Sequence, residues 1–208
     1  WVVRSFNDNL PLDDFLVWQL AGDLLPEPTL AQRVATGFVR MNPSTAEGGA
    51  IPAEFQAKNN FDRVENLGTS LLGLSLVCAR CHTHKYDPVT QTEYYRLLAF
   101  FNNTAESSMD GNKYEYAPNV RAPSDQTAWK EWEILKKKRT SLLKEADKAE
   151  AEAHGKWAKA SEQERFKLLA NPEPKALDLQ RRATETAKSL AAAEKKFTTT
   201  LVAKELAK

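Results

Sequence analysis

No apolar run in this sequence approaches the roughly 20 residues that a membrane-spanning helix requires. Cysteine is scarce: there are two among 208 residues. They lie three positions apart, so a disulfide between them would remove little chain entropy. An excess of either charge is also missing. The 29 basic and 28 acidic residues leave a net charge of +1, and no global field draws such a chain to nucleic acid or an anionic membrane. The run Lys136, Lys137, Lys138, Arg139 is a local exception that reads as a solvated helix face. No acid–base pair, phosphate loop or nucleophile constellation stands out. A signal peptide is lacking too. The chain opens on Trp1-Val2-Val3-Arg4, already inside an amphipathic pattern, which reads as a piece of a longer or processed polypeptide.

What is present is the composition of a globular protein, with 42% hydrophobic and 27% charged residues, enough for one domain and an appendage or for two small domains. Up to about residue 124, short helical signals alternate with Pro, Gly and Asn. Leu12, Phe15, Leu16, Leu20 and Leu24 follow Pro11 at helical spacing until Pro26. Leu30, Val34 and Phe38 mark a second helix from Thr29. Met41 to Pro52 reads as a loop, and helix resumes over about 53–67. The apolar run from Leu71 to Val77 leads into the cysteines. Thr90 and Glu93 then form a capping-box pattern that opens an aromatic helix ending at Asn102-Asn103. Residues 104–124 read as an irregular arm.

From about Ser124 the chain becomes rich in Ala, Glu, Lys, Leu and Arg. Trp132, Leu135, Leu142, Ala146, Ala149, Ala153, Trp157 and Ala160 recur at helical spacing. Beyond Pro172 and Pro174 the pattern returns in Leu179, Ala183, Thr186, Leu190, Ala193, Phe197 and Leu201. The expectation is two long helices joined by a short Pro-containing turn and folded into an antiparallel coiled coil. The fold class is therefore mainly α: a small helical domain over 1–124, followed by a helical hairpin over 125–208.

Chemistry concentrates in Cys78-Ala79-Arg80-Cys81-His82. The CxxCH spacing is the signature of covalent c-type haem attachment. Two thiols meet the two vinyl groups on one porphyrin edge, and the adjacent imidazole ligates iron as the proximal ligand. Three other readings stay open: buried, chemically idle cysteines; a zinc site of Cys78, Cys81, His82 and His84; and a redox CxxC, which would want a βαβ context. His84 lies at most about 7 Å along the chain from His82, too near to reach the opposite porphyrin face. It suits a hydrogen bond to a propionate or backbone group, service of a neighbouring site, or a place at the surface. The distal iron position is open to Met109, Met41 or His154, or is vacant; Met109 is the residue taken forward.

Several segments resemble the planctomycete cytochrome c-like domain family. They are Gln19-Leu20-Ala21-Gly22-Asp23-Leu24-Leu25-Pro26, Ala35-Thr36-Gly37-Phe38, Glu47-Gly48-Gly49-Ala50-Ile51-Pro52 and Phe61-Asp62-Arg63-Val64. The longest stretch runs from Gly68 through Cys78–His82 and Thr83-His84-Lys85-Tyr86-Asp87-Pro88 to Asn103. The resemblance covers roughly residues 1–112. It implies an extracytoplasmic haem c module, in the periplasm or at the cell surface, usually flanked by further domains of a longer polypeptide. Members often carry a histidine in the Gly-Phe-x-Arg segment, where this chain has Val39. The expected function is electron transfer, or redox support within a larger assembly, with a redox partner protein or neighbouring domains as partners. An oligomer formed through the coiled coil is a further partner reading. The alternatives are a haem-dependent oxidoreductase with open iron, and an interaction module built on the hairpin with a zinc or unmetallated Cys/His site.

Overall fold

The computed structural model describes residues 1–45, 47–109, 117–165 and 174–202. The chain divides into two compact units: Trp1–Val120 with the residues from Thr199 onward, and Arg121–Thr198. The protein is mainly helical, and among the described residues strand is confined to two four-residue segments. No helix among those residues is long and apolar enough to cross a membrane.

The first unit opens on a short helix, α1 (Val2–Asn7), where the sequence shows only an amphipathic start. Trp1 stacks on Phe15 of α2 (Leu12–Ala21), with ring centroids 5.2 Å apart. That helix stops at Gly22, before the Leu24 that its apolar spacing includes. The helix α3 (Leu30–Ala35) begins with a capping box, in which Thr29 Oγ1 accepts from Gln32 N and Thr29 N donates to Gln32 Oε1. It tightens at once into a 3-10 turn over Thr36–Arg40, which carries Phe38.

Proline in the first turn of α4 (Pro52–Leu67) supplies a helical φ at no cost in hydrogen bonds. A single π turn, Gly68–Leu72, follows, and Gly73 reverses the chain at φ 65°. The expected Thr90–Glu93 capping box is present and opens α5 (Gln91–Phe101).

The core of this unit draws Val39 from the 3-10 turn, Val64 and Leu67 from α4, Leu76 and Ala79 from the segment around the cysteines, and Tyr94 and Phe101 from α5. Burying each larger side chain contributes about 1.5–3 kcal/mol. A Cβ on Gly68 would collide with the Leu76 side chain. Glycine there lets the cysteine segment lie close against the end of α4.

A polar cluster is buried in the same unit. Glu106 pairs with both Arg40 and Arg63, and all three side chains are at most 7% exposed. Arg63 also donates to Asn42 Oδ1 at 2.8 Å. Burial pushes the Arg63 guanidinium below its usual range, with Glu106 opposing. Among the described residues, Arg40 Nε and Arg63 Nε have no hydrogen-bond partner.

In the second unit Asp125 caps α6 (Gln126–Lys159), accepting from Ala128 N at 2.8 Å. The helix α7 (Pro174–Glu194) packs along it. Leu142, Ala146, Ala149, Leu179 and Ala183 form their shared core, while Trp132 Nε1 donates to Glu194 Oε1 at 3.2 Å, so the pair is antiparallel. The seam positions expected from the sequence are all buried or half-buried along these two helices.

The expected single turn between the helices is only partly what is found. The first helix ends at Lys159, and residues 162–165 are helical again behind a box in which Ser161 N and Oγ both donate to Glu164 Oε2. Pro172 lies outside the described residues. At the far end helix was expected through Phe197 and Leu201, but α7 stops at Glu194 and Thr198–Leu201 is strand β2, paired with β1 (Asn119–Ala122). The correction has a local cause. Thr198-Thr199-Thr200 is a β-branched run that favours extended backbone, and Arg121 donates to Lys195 O and Phe197 O at the helix end.

Candidate cofactor-attachment site

The cysteines lie on a 3-10 turn, Leu76–Arg80, with Cys81 as its C-cap residue. Three residues per turn make positions i and i+3 share a face. Leu76 and Ala79 accordingly point into the core, 2% and 0% exposed. By the same rule Cys78 and Cys81 share an outer face, and both are exposed free thiols. Each cysteine lies two positions after one of these buried residues, so burying Leu76 and Ala79 turns Cys78 and Cys81 outward.

Hydrogen bonds from α5 hold the turn. Gln91 Nε2 and the Tyr95 hydroxyl both donate to Arg80 O, at 3.2 and 3.0 Å. The Arg80 guanidinium lies over the Phe61 ring and 3.5 Å from Glu65 Oε1. Glu65 Oε1 also accepts from the buried Tyr94 hydroxyl at 3.3 Å. Burial, reinforced by the Glu65 carboxylate, pushes the Tyr94 phenol well above its ordinary range. Exposed hydrophobic side chains occur on the turn and in the segments that follow it: Val77 is 47% exposed, Tyr95 44% and Tyr86 83%. An open groove of about 520 Å³ runs along Gln91, Thr92, Tyr95, Arg96 and Ala99.

His82 is exposed, and its Nδ1 lies 2.8 Å from Thr83 O. A carbonyl can only accept, so Nδ1 carries the proton in this contact. The lone pair of a neutral ring is then at Nε2, facing away from that contact. A ring N–H given to a backbone carbonyl is the usual way a ligating histidine is oriented and made more basic.

His84 is differently placed. Its side chain is 7% exposed, and its Nδ1 accepts from Tyr86 N at 3.1 Å and Asp87 N at 2.7 Å. Its Nε2 lies 3.7 Å from Asp87 Oδ2, and that same oxygen accepts from Ser75 N at 3.0 Å. Of the options read from the sequence, His84 takes the backbone hydrogen bond. With Nδ1 accepting, a neutral His84 ring carries its proton on Nε2 and offers no lone pair to a zinc set of Cys78, Cys81, His82 and His84. Among the described residues, no group of three or more His, Cys, Asp or Glu side chains converges as an ion site.

The distal candidates are scattered. Met109 is half-buried on the arm, where its N–H and carbonyl both bond to Ser107 Oγ. The neighbouring Ser108 O accepts from Asn59 at 3.4 Å. Asn59 is about 200° around α4 from Phe61, the residue beneath Arg80. Met41 is 76% exposed. His154 stands at the surface of the hairpin near Glu150, and Val39 is buried core. Sequence reasoning missed the Thr83 carbonyl, the Gln91 and Tyr95 clamps and the Asp87 bridge. The capping box at Thr90 signalled where α5 begins, but not that its first turns hold the Arg80 carbonyl.

Residues 1–106 match the PSCyt2 family, described as a protein of unknown function (DUF1549). The chain belongs to the PSCyt2 family. This agrees at a coarse level with the planctomycete cytochrome c-like resemblance read from the sequence. The PSCyt2 segment contains the first unit as far as the arm at Glu106, including the whole Cys78–His82 turn, and excludes α6 and α7. No curated protein and no solved structure matches the chain.

Proposed function

We propose that this PSCyt2 chain carries one covalent haem c through Cys78 and Cys81, with His82 Nε2 as the proximal iron ligand. The observation that carries the reading is the presentation of all three donors outward from one clamped turn, with His82 Nδ1 given to Thr83 O. The donor set fits the group. Each thiol S–H adds across one vinyl double bond, sulfur to the inner carbon and hydrogen to the outer, so attachment needs no oxidant and releases nothing. Reduced, exposed thiols are the form this addition requires. The apolar surface of Val77, Tyr86 and Tyr95 suits the face of a flat macrocycle.

Haem, when bound, supplies a one-electron couple whose potential depends on axial ligation and burial. The protein's own part is to hold the sulfurs, orient the imidazole and leave the attached edge at the surface. An exposed edge favours electron exchange with a redox partner protein or a neighbouring domain, and electron transfer is the function proposed. Thioether attachment takes place outside the cytoplasmic membrane, so the working location is extracytoplasmic.

The test is denaturing mass spectrometry of the full chain co-expressed with a c-type maturation apparatus. The expected result is the mass of one haem added to the wild-type chain and none added to the double variant Cys78→Ala, Cys81→Ala. An unmodified wild-type mass overturns the reading.

A further inference from the structure

We infer that His84 and Asp87 are positioning residues for the attachment turn, a role that rests on the haem reading above and extends it. The turn Cys78–His82 is held on its inner side by the core and on one flank by α5. Its two ends would be free to splay without a further tie. His84 Nδ1 gathers the amides of Tyr86 and Asp87, closing the loop that leaves the motif. Asp87 Oδ2 then accepts from Ser75 N, one residue before the turn begins. The carboxylate also faces His84 Nε2, the nitrogen that carries the proton when Nδ1 accepts. Asp87 O takes the Val89 amide at 2.8 Å, and His84 N donates to Val89 O at 2.9 Å.

The entry and exit of the motif are therefore stapled by one buried imidazole and one carboxylate. Neither supplies a thiol, and with Nδ1 accepting the neutral His84 ring has its proton on Nε2 and no lone pair for iron. Fixing the exit fixes Thr83, whose carbonyl orients His82. The two histidines have divided roles: His82 presents a nitrogen outward, and His84 spends its lone pair on the backbone.

Asparagine discriminates this role from ligation. Its Oδ1 occupies the δ position held by Nδ1 and accepts from the amides two and three residues on, as in an Asx turn, but it does not replace an imidazole on iron. In the unloaded chain, His84→Ala is expected to speed hydrogen exchange at the Tyr86 and Asp87 amides by about tenfold or more, the effect of deleting one well-made acceptor. His84→Asn should restore most of the protection. Asp87→Asn should speed exchange at Ser75.

In the co-expressed full chain, the fraction carrying covalent haem is expected to fall several-fold in His84→Ala and to recover in His84→Asn. Far-ultraviolet circular dichroism should stay unchanged in all three variants. Wild-type loading with His84→Ala equal to wild type in both exchange and loading overturns the positioning role alone. Failure of His84→Asn to rescue also overturns it. A wild-type chain that gains no haem overturns the haem reading and this role with it.

Discussion

Glu106 stands between two arginines in a site closed to water, and its carboxylate is what makes their burial tolerable. Glu106→Gln keeps the shape and removes the charge, leaving Arg40 and Arg63 without the carboxylate they share. Breaking a buried pair from one side costs about 3–5 kcal/mol, and urea denaturation of the variant should read a loss of that size. A loss below about 1 kcal/mol would place the pair in the class of exposed bridges. Tyr94 gives a second prediction at this scale. Its raised pKa means the folded protein holds the phenol proton above the pH, near 10, at which an unfolded tyrosine releases it. The associated stability is complete below about pH 10 and is lost as pH rises toward the folded value. Melting temperature followed from pH 8 to 11 should fall less steeply in Tyr94→Phe than in wild type; parallel curves would remove Tyr94 as the source.

At the scale of elements, short-range signals translated well. The Thr90–Glu93 pair predicted the start of α5, and the spacing from Trp132 to Trp157 predicted the buried face of α6, because caps and helix faces are settled within a few residues. Strand β2 was legible only in part, since Thr198-Thr199-Thr200 favours extended backbone locally while its partner lies far along the chain. Leu201 keeps helical register with Leu190 and Phe197, but its backbone pairs with β1 across 76 or more residues, and no local pattern reports that partner. Gly155 offers a test of the hairpin as an ordinary helix. A Cβ there meets nothing within 4 Å, so Gly155→Ala should stabilise α6 by about 1 kcal/mol, read as a higher midpoint in thermal unfolding. A lower midpoint would mean that the glycine serves a close approach.

For the whole molecule, two compact units with separate cores imply separable stabilities. Leu179→Ala empties part of the hairpin core, where Leu179 is 5% exposed, and should cost that unit about 2–5 kcal/mol. Calorimetry is expected to show one transition lowered while hydrogen-exchange protection at Tyr94 and its neighbours is unchanged. A uniform loss of protection in both units would show that they unfold as one. By itself the sequence determined the helical class, the seam of the hairpin and the CxxCH spacing of Cys78, Cys81 and His82, since periodicity and motif spacing are properties of neighbouring residues. Only the tertiary structure decided which way those three side chains face. That required Leu76 and Ala79 to find a core built by α4 and α5, Thr83 to meet the His82 ring, and Asp87 to return to Ser75, and contacts between segments arise only once the chain is folded.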